Sequence, residues 1–148
     1  MLKVLCFHGW GTNPEFMDYQ LRYFKKFFPE MEFETLAGPK KVPPGYIADP
    51  GVTKIIKNNQ FLAWGTSPYN IIQTGKRDWT EALNYVIDYI NQEGPFDGLC
   101  GFSQGGMMAQ QLLLAIESGE YKDKLKVKPP KFAIFASSVY DDTHNMTL

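Results

Sequence analysis

Gly94-Pro95-Phe96-Asp97-Gly98-Leu99-Cys100-Gly101-Phe102-Ser103-Gln104-Gly105-Gly106 is the stretch whose reading decides the fold. A Gly-Pro break leads into a short apolar strand, then a serine between glycines, and at once into a helical run, Met107 to Ile116. In a strand-turn-helix layout a Gly-x-Ser-x-Gly pattern has a mechanical meaning. The serine takes a strained backbone conformation, and glycine is needed wherever a Cβ would collide with the neighbouring chain. The hydroxyl then stands above a sheet with a helix N-terminus behind it, which favours developing negative charge. The five-residue pattern alone also fits an ordinary glycine-rich βα turn, so its context carries the weight.

That context is an alternation of strands and helices. Leu2 to Phe7 is a continuous apolar run with one lysine, the pattern of a strand buried on both faces, and His8-Gly9-Trp10-Gly11 ends it. Asn13 before Pro14 predicts an N-cap and a helix that runs to Phe28, where Pro29 stops it. The aromatic stripe of that helix, Tyr19, Tyr23, Phe24, Phe27 and Phe28, is expected to face the sheet as core. Met31 to Leu36 alternates with Glu32 and Glu34 and predicts a strand near an edge. Asp78, with Glu81 completing a capping box, predicts a helix that buries Trp79, Leu83, Val86, Ile87 and Ile90. After the helix behind Ser103, which ends near Ser118-Gly119, Phe132 to Ala136 predicts a last buried strand. Between Ala37 and Arg77 the pattern thins out among Pro39, Pro43-Pro44-Gly45, Asp49-Pro50-Gly51 and Ser67-Pro68. An excursion of that length reads either as a substrate-covering segment or as a plain surface insertion.

Composition narrows the function classes. With 44% apolar and 15% aromatic residues, 148 residues suit one domain over the whole chain with a substantial core. A net charge of −1 gives no field for nucleic acid. No stretch reaches membrane-spanning length, and nothing at the N-terminus reads as a signal peptide, so a soluble cytoplasmic protein is expected. Cys6 and Cys100 both fall in apolar strands, as free thiols of a reducing compartment do. Asn145-Met146-Thr147 matches a glycosylation sequon, which has no meaning without a secretory signal. Gly75-Lys76 is no phosphate loop, because Asn70 stands where its first glycine belongs and Arg77 where it needs Ser or Thr.

Four strands alternating with helices predict an α/β fold with a parallel sheet covered on both faces. In a doubly wound order 2-1-3-4, the first and third strands lie side by side, their helices go to opposite faces, and a crevice forms at their carboxyl ends. The turns at His8 to Gly11 and at Ser103 then meet in one cleft. Acyl transfer needs such a meeting, of a nucleophile with two N–H groups aimed at the oxyanion. The amide of Gln104 offers one donor and the amide of Trp10 the other.

Leu5-Cys6-Phe7-His8-Gly9-Trp10-Gly11-Thr12-Asn13, together with Gly94-Pro95-Phe96-Asp97-Gly98 and Gly101-Phe102-Ser103-Gln104-Gly105, resembles the FSH family of serine hydrolases. The likeness runs from the first strand to Phe132-Ala133-Ile134-Phe135. It implies an α/β-hydrolase fold, Ser103 as the catalytic nucleophile and Trp10 and Gln104 as the oxyanion hole. It also implies a small-molecule ester or thioester as substrate, with neither a metal nor an organic cofactor. Family members carry an acid and a histidine after later strands that this sequence lacks, so the domain is expected to be incomplete at its C-terminus. Of two histidines, His8 is expected to be structural. Asp141 and His144 follow in the Ser-Asp-His order of an α/β-hydrolase, and His144 reads either as the base or as a solvated tail residue. Two functions stay open: a serine hydrolase, and a catalytically impaired hydrolase-like binding or scaffold module. The last strand is expected to leave an open edge through which copies could self-associate.

Overall fold

The structure, a computed structural model, describes residues 1–138. Asp141, Asp142, His144 and the sequon at Asn145 lie outside the described residues. The elements are β1 (Leu2–Phe7), α1 (Pro14–Gln20), α2 (Arg22–Phe27), β2 (Met31–Leu36), β3 (Lys40–Lys41), α3 (Pro50–Thr53), β4 (Leu62–Ala63), α4 (Thr80–Glu93), β5 (Gly98–Phe102), α5 (Gln104–Glu117) and β6 (Phe132–Ala136). The main sheet has the order β2-β1-β5-β6 with every pair parallel. This is the expected doubly wound α/β order, with β2 at an edge.

Strand alternation divides the core in two. Leu5, Phe7 and Leu99 point to the face that α4 and α5 cover, while Val4, Cys6 and Cys100 point to the face that Met17 and Leu21 cover. Thus α1, which follows β1, and α5, which follows β5, sit on opposite faces of neighbouring strands, and a crevice opens between the turns that begin them. Asn13 caps α1 as its sequence position predicts, its Oδ1 accepting from the Phe16 N–H at 3.0 Å.

The structure corrects three expectations. The helix from Asn13 to Phe28 is broken at Leu21, whose φ of −81° and ψ of −2° leave the helical track. Beyond the break the Arg22 guanidinium donates to the Tyr19 carbonyl at 2.8 Å and lies over the Tyr19 and Tyr23 rings. The aromatic stripe is consequently not core. Met17 and Leu21 take the sheet-facing places, Phe24 meets Phe28 and Phe33, and Phe27 is 67% exposed. The capping box at Asp78 does not form either. Asp78 accepts from the Thr80 N–H, the residue at which α4 begins, and Glu81 turns away to pair with Lys40 at 2.7 Å.

The third correction concerns Phe132 to Ala136, a strand that is not buried: it is half-buried to exposed, with Phe135 49% exposed, because it lies at the edge of the sheet among the described residues. Residues 37–77, read as a substrate-covering segment or a surface insertion, are packed against the β1 turn. Short β3 and β4 pair antiparallel, and the Gly11 N–H donates to the Leu62 carbonyl while the Leu62 N–H donates to the Thr12 carbonyl. Next along, Trp64 is 1% exposed and packs in the core against Phe7. The excursion is therefore built onto the turn after β1.

Candidate active site

Ser103 sits at the carboxyl end of β5, immediately before α5, with φ +54° and ψ −119°. A non-glycine residue in that left-handed region is strained and persists only where its surroundings hold it. Here the glycines let the surroundings close in. A Cβ on Gly101 would come 2.5 Å from the Gly105 carbonyl carbon and 2.6 Å from Gly106 Cα, so strand and helix meet too closely for a side chain. The Ser103 hydroxyl caps none of the helix N–H groups and is left for other work.

The β1 turn stands directly against it. A Cβ on Gly9 would lie 3.6 Å from Ser103 Cβ and 3.4 Å from the Phe102 carbonyl, so the two sequence-predicted turns do share one crevice. The Gly9 carbonyl accepts from the Thr12 hydroxyl at 2.7 Å and from the Thr12 N–H at 3.2 Å, and it lies 2.8 Å from His8 Nδ1. Because a trans peptide sets its C=O and N–H in opposite directions, pinning the Gly9 carbonyl inward turns the Trp10 N–H outward. Neither the Trp10 nor the Gln104 N–H meets a backbone acceptor among the described residues.

His8 serves that turn. It is fully buried, and its Nε2 accepts from the Gly38 N–H at 2.8 Å, which puts the ring proton on Nδ1, where it donates to the Gly9 carbonyl. Burial pushes the imidazole from the ordinary 6.5 down to about 4, against a weaker opposing pull from its bond to Gly9. With its lone pair already taken and its charge suppressed, His8 is no base for Ser103. The unfolded chain binds the proton below pH 6.5 and the folded chain only near 4, so the stabilisation from neutral His8 is complete above pH 6.5 and is lost as pH falls toward 4. It amounts to about 3 kcal/mol. The His8 ring is expected to titrate near 4 by NMR while the unfolding free energy climbs from pH 4 to 6.5. A folded-state midpoint near 6.5 would contradict the buried tautomer.

One further residue, Trp64, is not legible from motif or spacing. Trp64 donates its indole N–H to the His8 carbonyl at 2.8 Å, and its own backbone N–H donates to Gln104 Oε1 at 2.9 Å. Gln104 Nε2 in turn donates to the Ser67 carbonyl at 2.7 Å. The side chain of Gln104 is thus used in bracing. Trp64 ties the β1 turn to the serine turn through hydrogen bonds in dry surroundings, where an orphaned partner is costly. Trp64→Phe keeps the ring contacts but orphans the His8 carbonyl and is expected to lower the unfolding free energy by about 1–3 kcal/mol in a urea titration. A loss under about 0.5 kcal/mol would show that the bond contributes nothing to stability.

Of the residues picked out from the sequence, Ser103 and Gln104 stand at the start of α5 and Trp10 follows Gly9, whose missing Cβ faces Ser103, while Asp141 and His144 lie outside the described residues. Among the described residues no group of three or more His, Cys, Asp or Glu could hold a metal ion, and no helix is long and apolar enough to cross a membrane.

Comparison with known proteins shows the family. The model of the family described as Serine hydrolase (FSH1) matches residues 1–146. Hydrolase FUB4 of Gibberella moniliformis is 33% identical over 138 residues, covering 93% of this chain and 47% of its own length. Esterase FPY3 of Fusarium mangiferae is 30% identical over 138 residues, covering 90% and 56%. Esterase alnB of Emericella nidulans is 32% identical over 142 residues, covering 94% and 44%. The chain spans about half the length of the curated relatives it matches.

Proposed function

This chain belongs to the FSH1 family of serine hydrolases, and from that premise we propose that it cleaves carboxylic esters or thioesters through an acyl-enzyme on Ser103. The observation that carries the reading is the strained serine at φ +54°, standing against a turn whose Trp10 N–H meets no backbone acceptor among the described residues. Ser103 Oγ attacks the acyl carbon and the carbonyl oxygen becomes an oxyanion. The Trp10 and Gln104 N–H groups receive it, aided by the positive end of α5. Collapse expels the alcohol or thiol and leaves the acyl group on Ser103, and water then releases the acid. Strong donors fixed in advance cost no reorganisation during the reaction, which is why the bracing by His8, Thr12 and Trp64 matters to rate. His8 does not take the serine proton. The acid and base for that task are expected beyond Leu148, with Asp141 and His144, outside the described residues, as the weaker alternative.

The unpaired Cys6 and Cys100, neighbours in the β1–β5 register, fit a reducing compartment such as the cytoplasm. The commitment of His8 to the turn favours one competing reading, a hydrolase-like module that binds without turning over. A fluorophosphonate probe separates the two. Stoichiometric labelling of Ser103, read as a mass increase on its peptide, is expected of the hydrolase, and an unlabelled native chain would leave the binding module standing.

A further inference from the structure

Beside the β1 turn, at the open end of the β3–β4 ribbon, lies a cavity of about 240 Å³ whose walls include Lys41, Val42, Pro43, Tyr46, Asn59 and Phe61. Three observations tie it to the site. First, Tyr46 is a shared wall. Its ring meets the Trp10 ring edge-on at 4.8 Å and the Phe61 ring at 6.0 Å, and it packs so closely on Gly11 that a Cβ there would fall 2.5 Å from the Tyr46 hydroxyl. The cavity thus begins one aromatic ring away from the residue whose amide faces the oxyanion position.

Second, the cavity is preformed. The Val42 N–H donates to the Phe61 carbonyl at 3.0 Å, β4 is bonded to Gly11 and Thr12, and Asn58 Oδ1 accepts from the Asn13 side chain at 3.1 Å. Asn59, with φ +54°, is held in the left-handed region between these anchors.

Third, its chemistry is mixed in a directed way. Val42, Pro43, Tyr46 and Phe61 give an apolar wall, and Lys41 at the rim pairs with no carboxylate among the described residues, whereas its neighbour Lys40 is taken by Glu81. Burial, with Asp49 adding to it, raises the Tyr46 hydroxyl above its ordinary range, so it stays a protonated donor. The volume is below the roughly 300–1,000 Å³ of drug-sized sites, so it suits a short arm and not a long alkyl chain.

We propose that this cavity receives one arm of the ester on the far side of Trp10 and selects a short apolar arm ending in a carboxylate over an uncharged arm of equal length. The inference rests on Ser103 being the reacting centre, but its test reads binding alone. Ser103→Ala protein labelled with ¹⁵N is titrated with monomethyl adipate and with methyl hexanoate, with shifts followed by NMR. Both are expected to move the amides of Val42, Gly45, Tyr46 and Phe61. The adipate should bind about two- to fivefold tighter, the range of one exposed ion pair. Lys41→Met, at an exposed position, is expected to equalise the two dissociation constants, and Tyr46→Ala to remove the cavity shifts while those around position 103 persist. Shifts confined to the Ser103 crevice, equal affinities in the Lys41 protein, or no saturable shifts would each overturn the assignment. Cavity shifts in a chain that no fluorophosphonate labels would refute the hydrolase reading and leave the cavity standing; a labelled chain without cavity shifts would do the reverse.

Discussion

Ser103→Ala is expected to lower the turnover of p-nitrophenyl acetate by on the order of 10⁴- to 10⁶-fold relative to the native chain. The nucleophile is part of a unit, so its loss removes the covalent route and leaves only what the oxyanion donors and binding supply. The fold should not notice. The Ser103 hydroxyl caps no helix N–H, and the left-handed backbone is held by glycine contacts on either side, so the unfolding free energy should stay within about 1 kcal/mol of native. Activity and stability are therefore separable at this position. Equal ester turnover by the two proteins, after subtraction of spontaneous hydrolysis, would remove Ser103 from the reaction.

Gly105→Ala carries the largest expected effect on stability. Its Cβ would overlap the Phe7 carbonyl oxygen and sit 2.5 Å from both the Phe7 carbonyl carbon and the His8 carbonyl oxygen. Every one of these atoms is backbone, so no rotamer change can relieve the clash. The β1 turn and α5 would have to separate, at a cost of about 3 kcal/mol or more. For a chain of this size that is a fall in Tm of about 6–12 °C. Gly119→Ala is the informative control. Gly119, unlike Gly105, has a positive φ, +79°, but nothing lies within 4 Å of its missing Cβ, so it should lose only about 1–2 kcal/mol from backbone strain. A loss in Gly105→Ala no larger than that in Gly119→Ala would show that the close approach of helix to turn is relieved at little cost. Because the same separation would pull the Trp10 turn from Ser103, any folded Gly105→Ala protein should also lose turnover.

The parts of the molecule legible in the sequence are those where a local pattern and the global fold demand the same thing. The continuous apolar run at Leu2 to Phe7 could only be a strand of the core, and Gly101 to Gly105 could only be a tight turn once a strand preceded it and a helix followed, whereas the run at Phe132 to Ala136 gave the strand but not its burial, because it lies at the sheet edge with Phe135 exposed. Placing the two glycine turns together followed from strand order. What stayed hidden was decided by contacts between distant residues. Phe27 and Tyr23 carry a helical spacing, yet the chain bends at Leu21 before their face can reach the sheet, a bend held by Arg22 on Tyr19 and Tyr23 that no hydrophobic period records. Glu81 has a capping position by spacing and a better partner in Lys40, forty-one residues away along the chain. Trp64 stands among residues with turn signals, and its hydrogen bonds to His8 and Gln104 exist only after β1 and β5 are side by side. His8 and Thr12 were readable as a turn but not as the pair that fixes the direction of the Gly9–Trp10 peptide.

The ribbon of β3 and β4 has one more consequence. Its inner end, at Ala63 and Trp64, belongs to the framework that holds the reacting geometry, while its outer end, at Val42 to Tyr46 and Asn59 to Phe61, shapes the cavity and is largely exposed. Inheritance can therefore act on the two ends separately. Substitutions and length changes near Pro43 or Asn59 alter what the protein prefers without loosening Ser103, so a lineage of such chains can diversify its chemistry at one tip while the opposite end keeps the machinery unchanged.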